Sequence, residues 1–164
     1  MANVILVCGK IASGKSWYCR KLLKEGDRVL LSVDEFTTRL GPLGEDHDRV
    51  CEAVQGYLLD LAAQIAGAGA GVVLDWGFWT RDSRAAAEGF FRERGIATQW
   101  HYIDVPAAVW QENIARRNAA VLAGEDNSYY VDEGLLGKLA ASFQPPEPGE
   151  MDVVVRPGGD QPAP

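Results

Sequence analysis

Cysteine, histidine and positive charge are all scarce in this chain, and each scarcity excludes something. The three cysteines, Cys8, Cys19 and Cys51, lie far apart with no C-x-x-C pair. That sparse, odd set argues against a disulfide framework and fits reduced thiols in a cytosolic protein. The two histidines, His47 and His101, complete no Ser-His-Asp set and no zinc-ligand spacing. His47, within Glu45-Asp46-His47-Asp48, reads as a polar helix start, and His101, inside an apolar run, as a structural residue. Lys and Arg number 16 against 23 Asp and Glu, a net charge of −7, so a broad electrostatic footprint for duplex nucleic acid is not expected. A small local basic pocket remains compatible with that charge. Long apolar runs are missing too. The start Met-Ala-Asn-Val has no charged leader region, and the apolar run at Val4–Cys8 is too short for a signal peptide or a membrane span. A cytoplasmic protein without membrane contact is expected. There is no internal repeat, and 164 residues with 47% hydrophobic content suit one domain with one core.

What the chain does have begins at once. Gly9-Lys10-Ile11-Ala12-Ser13-Gly14-Lys15-Ser16 matches G-x-x-x-x-G-K-[ST] and directly follows the buried-strand pattern Val4-Ile5-Leu6-Val7-Cys8. An amphipathic stretch from Trp17 to Leu23 follows it. A strand, a glycine-punctuated loop and a helix start are the context in which backbone N–H groups cradle phosphate oxygens. The helix N-terminus adds partial positive charge to that cradle. Lys15 would put a full charge on the β- and γ-phosphates, and the Ser16 hydroxyl would ligate Mg²⁺. Gly9 through Trp17 are therefore the expected binding residues for ATP or GTP.

Strand and helix patterns alternate along the rest of the chain. Strands are expected at Arg28–Val33, Val72–Leu74 and Thr98–Val105, with a fifth, edge strand at 152–155. Helices are expected over Val50–Ile65, where Val50, Val54, Tyr57, Leu58, Leu61 and Ile65 recur every three or four residues, and over Ser83–Arg94. Another should start with Pro106 and run to about Ala123, and a last one should span Asp132–Phe143 with Asp132 as N-cap. Pro157 onwards reads as disordered. The fold class is α/β, a three-layer arrangement around a mostly parallel five-stranded sheet. Residues 1–147 form the domain, and 148–164 form a tail carrying the edge strand.

In such sheets ligands collect at the carboxyl ends of the strands, which selects the acids that close them. Asp34 either takes the proton of an attacking hydroxyl, holds Mg²⁺, or caps the segment Glu35–Leu40. Asp75 ends an apolar strand and is a Mg²⁺ candidate beside Ser16. Asp104 reads as a cap for the next helix. Among basic residues, Arg116-Arg117 lies late in a helix before the polar loop Gly124–Ser128, which suits either a lid over the nucleotide or a solvated face paired with Glu112. Arg39, Arg81 and Arg84 flank the cleft, and some of them are expected to be plain surface charge. Trp76, Phe78 and Trp79 follow Asp75 and are expected to line an acceptor pocket, with Trp76, Phe78 and Arg81 as substrate contacts, the alternative being packing into the core.

These landmarks together resemble the small P-loop kinase-like ATP-binding proteins of the "AAA domain" group. That group is related to the kinase domain of phage polynucleotide kinase, to chloramphenicol phosphotransferase and to zeta toxins. The resemblance rests on Gly9–Ser16, Ser32-Val-Asp-Glu-Phe36, Val72-Val-Leu-Asp-Trp-Gly-Phe78 with Arg81, Arg117-Asn118 and Phe143-Gln-Pro-Pro-Glu147, and covers roughly residues 3 to 147. It implies an adenylate-kinase-like fold and ATP-dependent phosphoryl transfer to a hydroxyl. By the same resemblance, Lys15 and Ser16 hold triphosphate and magnesium, Asp34 looks like the general base, Arg39 like a substrate contact and Arg117 like the lid arginine. The polynucleotide kinase relatives carry a further basic residue after the Arg-Asn pair, whereas Ala119–Gly124 has none. With the acidic composition, this favours a small-molecule acceptor over a nucleic-acid 5′-hydroxyl. A non-catalytic ATP-binding switch is the alternative from a different class.

Overall fold

The computed structural model describes residues 4–42, 44–126, 128 and 130–157. The first strand, β1 (Val4–Cys8), is wholly buried, as its uninterrupted apolar sequence requires for a strand covered on both faces. It lies at the centre of a five-stranded sheet of order β2-β3-β1-β4-β5, whose pairings are all parallel. The other strands are β2 (Arg28–Ser32), β3 (Gly71–Gly77), β4 (Thr98–Ile103) and β5 (Val153–Val155). Among the described residues six α-helices accompany them: α1 (Lys15–Lys24), α2 (Val33–Leu40), α3 (His47–Gly67), α4 (Arg81–Glu93), α5 (Ala107–Leu122) and α6 (Glu133–Ser142).

The alternation of side chains along a strand divides β1 between two cores. Val4, Leu6 and Cys8 face the layer that includes Val54, Leu58 and Ala62 of α3 and Ala87 and Phe91 of α4. Ile5 and Val7 face Cys19 and Leu22 of α1. A third cluster, Val105, Trp110, Ile114 and Val131, joins α5 and α6 to the loop residues Ile11 and Ala12. This last cluster positions the site, because it packs two helices against the loop that follows β1.

Several boundaries differ from expectation, each for a local reason. The third strand extends past Leu74 through Asp75 and Trp76 to Gly77, since pairing with β1 continues to Cys8↔Gly77. Neighbouring pairing, which the sequence of β3 does not reveal, carries the acid inside the strand. Ser32 rather than Asp34 caps α2: its hydroxyl accepts from Glu35 N–H at 3.2 Å. Asp104 caps nothing, because Pro106 is the residue before α5, and the Asp104 carboxylate instead accepts from Arg156 at 3.1 Å. The expected cap at Asp132 is present, with its carboxylate accepting from Leu135 N–H at 2.7 Å. β5 completes the sheet beside β4, and Asp152 accepts from Trp100 N–H at 2.7 Å. The C-terminal segment is thus tied into the sheet through residue 155. Residues 158–164, expected to be disordered, lie outside the described residues.

Candidate nucleotide-binding and transfer site

Strand β1 delivers the chain to Gly9, whose N–H donates to Gly77 O at 3.0 Å and so fixes the loop's start against the end of β3. Both glycines are closely approached, and Gly77 also holds a left-handed φ of 83° that favours glycine. A Cβ at Gly9 would lie 2.8 Å from the Ser13 hydroxyl, and one at Gly77 would lie 2.6 Å from the Trp79 indole nitrogen. The loop then turns through two left-handed residues, Ala12 at φ 54° and Gly14 at φ 90°, before α1 begins at Lys15.

The start of α1 carries no side-chain cap and no acidic residue in its first turn. Helices α2, α4 and α6 are capped by Ser32, Thr80 and Asp132, whereas α3 and α5, like α1, carry no side-chain cap. The first backbone N–H groups of a helix have no partner within the helix, so this end is left with donors and the positive end of the dipole for an anion.

Asp75 lies beneath this helix start. It shares the face of β3 with Val73, the face that packs on α1, and its side chain is only 4% exposed. The Lys15 ammonium stands 3.4 Å from Asp75 Oδ1, and that oxygen has no hydrogen-bond partner. The Cys19 thiol, one turn along α1, lies against the same carboxylate. Burial first, and then the Asp75 charge, push its pKa up, so Cys19 stays protonated. Cys8, at the end of β1, is likewise pushed up to about 12, chiefly by burial. Neither thiol is a nucleophile at neutral pH.

Asp34 lies in the first turn of α2, two residues beyond Ser32, which pairs with Asp75 across β2 and β3. One strand, β3, therefore separates Asp34's strand from the strand that carries the loop, so Asp34 does not emerge directly beside β1. Its carboxylate is exposed, and together with Asp48 it raises the pKa of Cys51, behind burial as the first cause. Arg39 is at the far end of α2, exposed and paired with Glu35 at 3.1 Å.

The aromatic group divides. Phe78 is 2% exposed and packs edge-to-face on Trp100 with centroids 4.9 Å apart, so its expected place lining an acceptor pocket is corrected: the ring belongs to the core. The cause is the left-handed Gly77-Phe78 turn, at φ 83° and 50°, which folds the ring under the sheet end. Trp76 and Trp79 are half-buried against the same core. Arg81 is bound to Glu147, and its N–H donates to the Gln144 side chain at 2.8 Å. Arg84, one of the three arginines left open between the cleft and plain surface charge, is 3% exposed. Its guanidinium donates to Glu150 and to the carbonyls of Phe78 at 3.1 Å and Gln144 at 3.0 Å. A clue was present in the sequence, since Arg84 shares an i, i+3, i+7 stripe with Ala87 and Phe91.

Helix α5 closes the other side of the loop. Trp110 Nε1 donates to Ile11 O at 2.7 Å, and Asn113 Nδ2 donates to Ala12 O at 2.9 Å. The Lys10 ammonium lies over the Trp110 ring, 4.8 Å from its centroid, and 5.8 Å from that of Phe143. Trp110, Asn113 and Arg117 fall on one stripe of the helix, at i, i+3 and i+7, while Arg116 points to solvent. Arg117 is half-buried and helps, after the Ser128 hydrogen bonds, to hold the Asp126 carboxyl below its ordinary range. Asn118 donates to Val131 O at 2.7 Å and accepts from Val131 N–H at 2.8 Å, cinching the base of the loop between α5 and α6.

Residues 4–146 match the family model described as AAA domain. The chain belongs to that family. No curated protein matches it. Among solved structures it is similar to a sugar kinase from Janibacter sp. HTCC2649, at 19% identity and TM-score 0.62, covering 95% of this chain and 86% of that one. It is also similar to a gluconokinase from Sinorhizobium meliloti 1021, at 16% identity and TM-score 0.66 over 96% and 84% of the two chains. The Mycobacterium tuberculosis APS kinase CysC, solved with AMPPNP and APS, shares 20% identity at TM-score 0.59 over 97% and 90%. At these identities the likeness establishes the fold, that of the P-loop kinases.

Proposed function

We propose that this protein is an ATP-dependent phosphotransferase that moves the γ-phosphate of ATP to a hydroxyl of a small molecule. The observation that carries the reading is the uncapped start of α1, with Lys15 at its first position standing over the buried Asp75. An anion held by the loop takes the Lys15 charge that Asp75 now holds. Ser16 and Asp75 are the residues that would hold Mg²⁺, and an otherwise unpartnered buried carboxylate oxygen suits that cation. When bound, the ion supplies charge neutralisation to the phosphates.

In the transfer step, the acceptor oxygen forms a bond to the γ-phosphorus as the bridging bond to the β-phosphate breaks, and ADP leaves. Asp34 takes the hydroxyl proton, and Arg117 comes over the transferred group from the stripe of α5 that already touches the loop. Arg39 and Arg81 have secondary parts at most, since Glu35 and Glu147 engage them. The acidic net charge favours a small acceptor over a polynucleotide end. Titration calorimetry tests the nucleotide half. Lys15→Ala should weaken Mg·ATP binding about 10–100-fold, the worth of a charge-assisted contact, and an unchanged affinity would overturn the assignment. A panel of sugars, nucleosides, aminoglycoside-like polyols and a 5′-hydroxyl oligonucleotide, followed by ADP release, then identifies the acceptor class; oligonucleotide turnover alone would refute the small-molecule reading.

A further inference from the structure

Ala12 holds a left-handed backbone conformation, φ 54°, that an L-residue with a Cβ rarely adopts. Such a conformation persists only where its surroundings over-determine it. The surroundings here are specific. The two consecutive carbonyls at the tip of the loop, Ile11 O and Ala12 O, are each taken by a side chain of α5: the Trp110 indole at 2.7 Å and the Asn113 amide at 2.9 Å. Both donors come from one face of one helix, and their neighbours Val105 and Ile114 pack with Ile11 and Ala12 in a single apolar cluster. The helix carries Arg117 on that same stripe.

We propose that Trp110 and Asn113 are positioning residues that clamp the phosphate-binding loop in its binding conformation. They draw its carbonyl oxygens towards α5 and away from the anion and so offset the strain at Ala12. A carbonyl turned into the cradle would oppose a phosphate, whereas one fixed outward leaves the adjoining N–H groups to face it. The inference rests on the nucleotide-site reading for its consequence, but the clamp itself is a property of the loop and α5 alone. It also joins the loop and the lid arginine rigidly through one helix, so the two are set in register before any ligand arrives.

The test uses the full chain with Mg·AMPPNP as probe. Asn113→Ala, and independently Trp110→Phe, which keeps the ring packing and removes the indole donor, should each weaken binding about 3–10-fold, the worth of one neutral hydrogen bond. A residue that merely supported the fold would give the same loss whatever stood at position 12. The clamp predicts otherwise: in an Ala12→Gly background, where the left-handed conformation carries no side-chain penalty, the loss from Asn113→Ala should shrink towards unity. Equal losses in both backgrounds, or wild-type affinity in both single variants, would overturn the proposal. Nitrogen-15 relaxation of the loop amides without nucleotide gives a readout that does not depend on binding. Order parameters at residues 12–15 near 0.85 in the wild type should fall below about 0.6 in Asn113→Ala, and unchanged values would refute the clamp. A wild-type chain with a rigid loop that fails to bind Mg·AMPPNP would instead refute the nucleotide reading and leave the clamp standing.

Discussion

Replacing Asp34 by Asn separates chemistry from architecture at this position with little ambiguity, because the structure removes the usual confusion. Ser32 supplies the cap of α2, so Asn at position 34 neither gains nor loses a capping hydrogen bond. What the fold loses is one exposed negative charge in the first turn of the helix, worth about 0.3–1 kcal/mol against the helix dipole. For a domain of this size that corresponds to a fall of roughly 1–4 °C in the midpoint of thermal unfolding. Catalysis should behave quite differently. If Asp34 takes the acceptor proton, turnover should drop on the order of 10²–10⁴-fold, while Mg·ATP affinity, set by the loop and Lys15 one strand away, changes little. The assay is coupled ADP release with the acceptor found in the panel, run beside calorimetric ATP binding and a thermal melt. Ser32→Ala is the matching control. It should cost about 1 kcal/mol of stability through the lost cap and far less activity than Asp34→Asn. Turnover of Asp34→Asn within about threefold of wild type, below the smallest effect expected of a general base, would refute the proton-acceptor role.

Two further outcomes concern the frame around the site. Arg84→Leu should destabilise the protein by about 3 kcal/mol, since it strands two carbonyls and the Glu150 carboxylate, with the partial exposure of Glu150 keeping the cost at the low end; a calorimetric melt should show a fall of roughly 6–12 °C, and a loss under 1 kcal/mol would mean that the buried network is not a stabilising tie. His101, 5% exposed and sharing its Nδ1 with the Tyr18 hydroxyl at 2.8 Å, has its pKa lowered chiefly by burial. With the folded value below the unfolded one, the unfolded chain gains a proton first as pH falls, so stability should decline from about pH 6.5 downward; His101→Gln should flatten that slope between about pH 6.5 and 5, and an unchanged slope would assign the acid sensitivity to other groups.

The glycine-lysine-serine loop, the alternation of strands and helices and the cap at Asp132 were all legible in the sequence, because each is decided within a few residues by backbone geometry and by local hydrogen bonding. Asp75 could be picked out as the acid ending an apolar run, but its burial under Lys15 follows from β3 continuing to pair with β1 as far as Gly77. The same long-range pairing turned the expected pocket residue Phe78 into core, through a left-handed turn that Gly77 alone does not announce. Arg84 shows the limit from the other side. A charge on an apolar helical stripe reads as surface until the C-terminal segment, more than sixty residues on, arrives with Glu150 to bury it. Trp110 and Asn113 are the furthest from local reading. In sequence they are two unremarked positions on an amphipathic helix, about a hundred residues from the carbonyls they hold. The sequence determined that a phosphate-binding loop would form, since that depends on backbone freedom at Gly9 and Gly14 and on the charge of Lys15. Only the tertiary structure decided what holds the loop in shape, since carbonyls without partners of their own in the loop must find donors wherever the fold brings them.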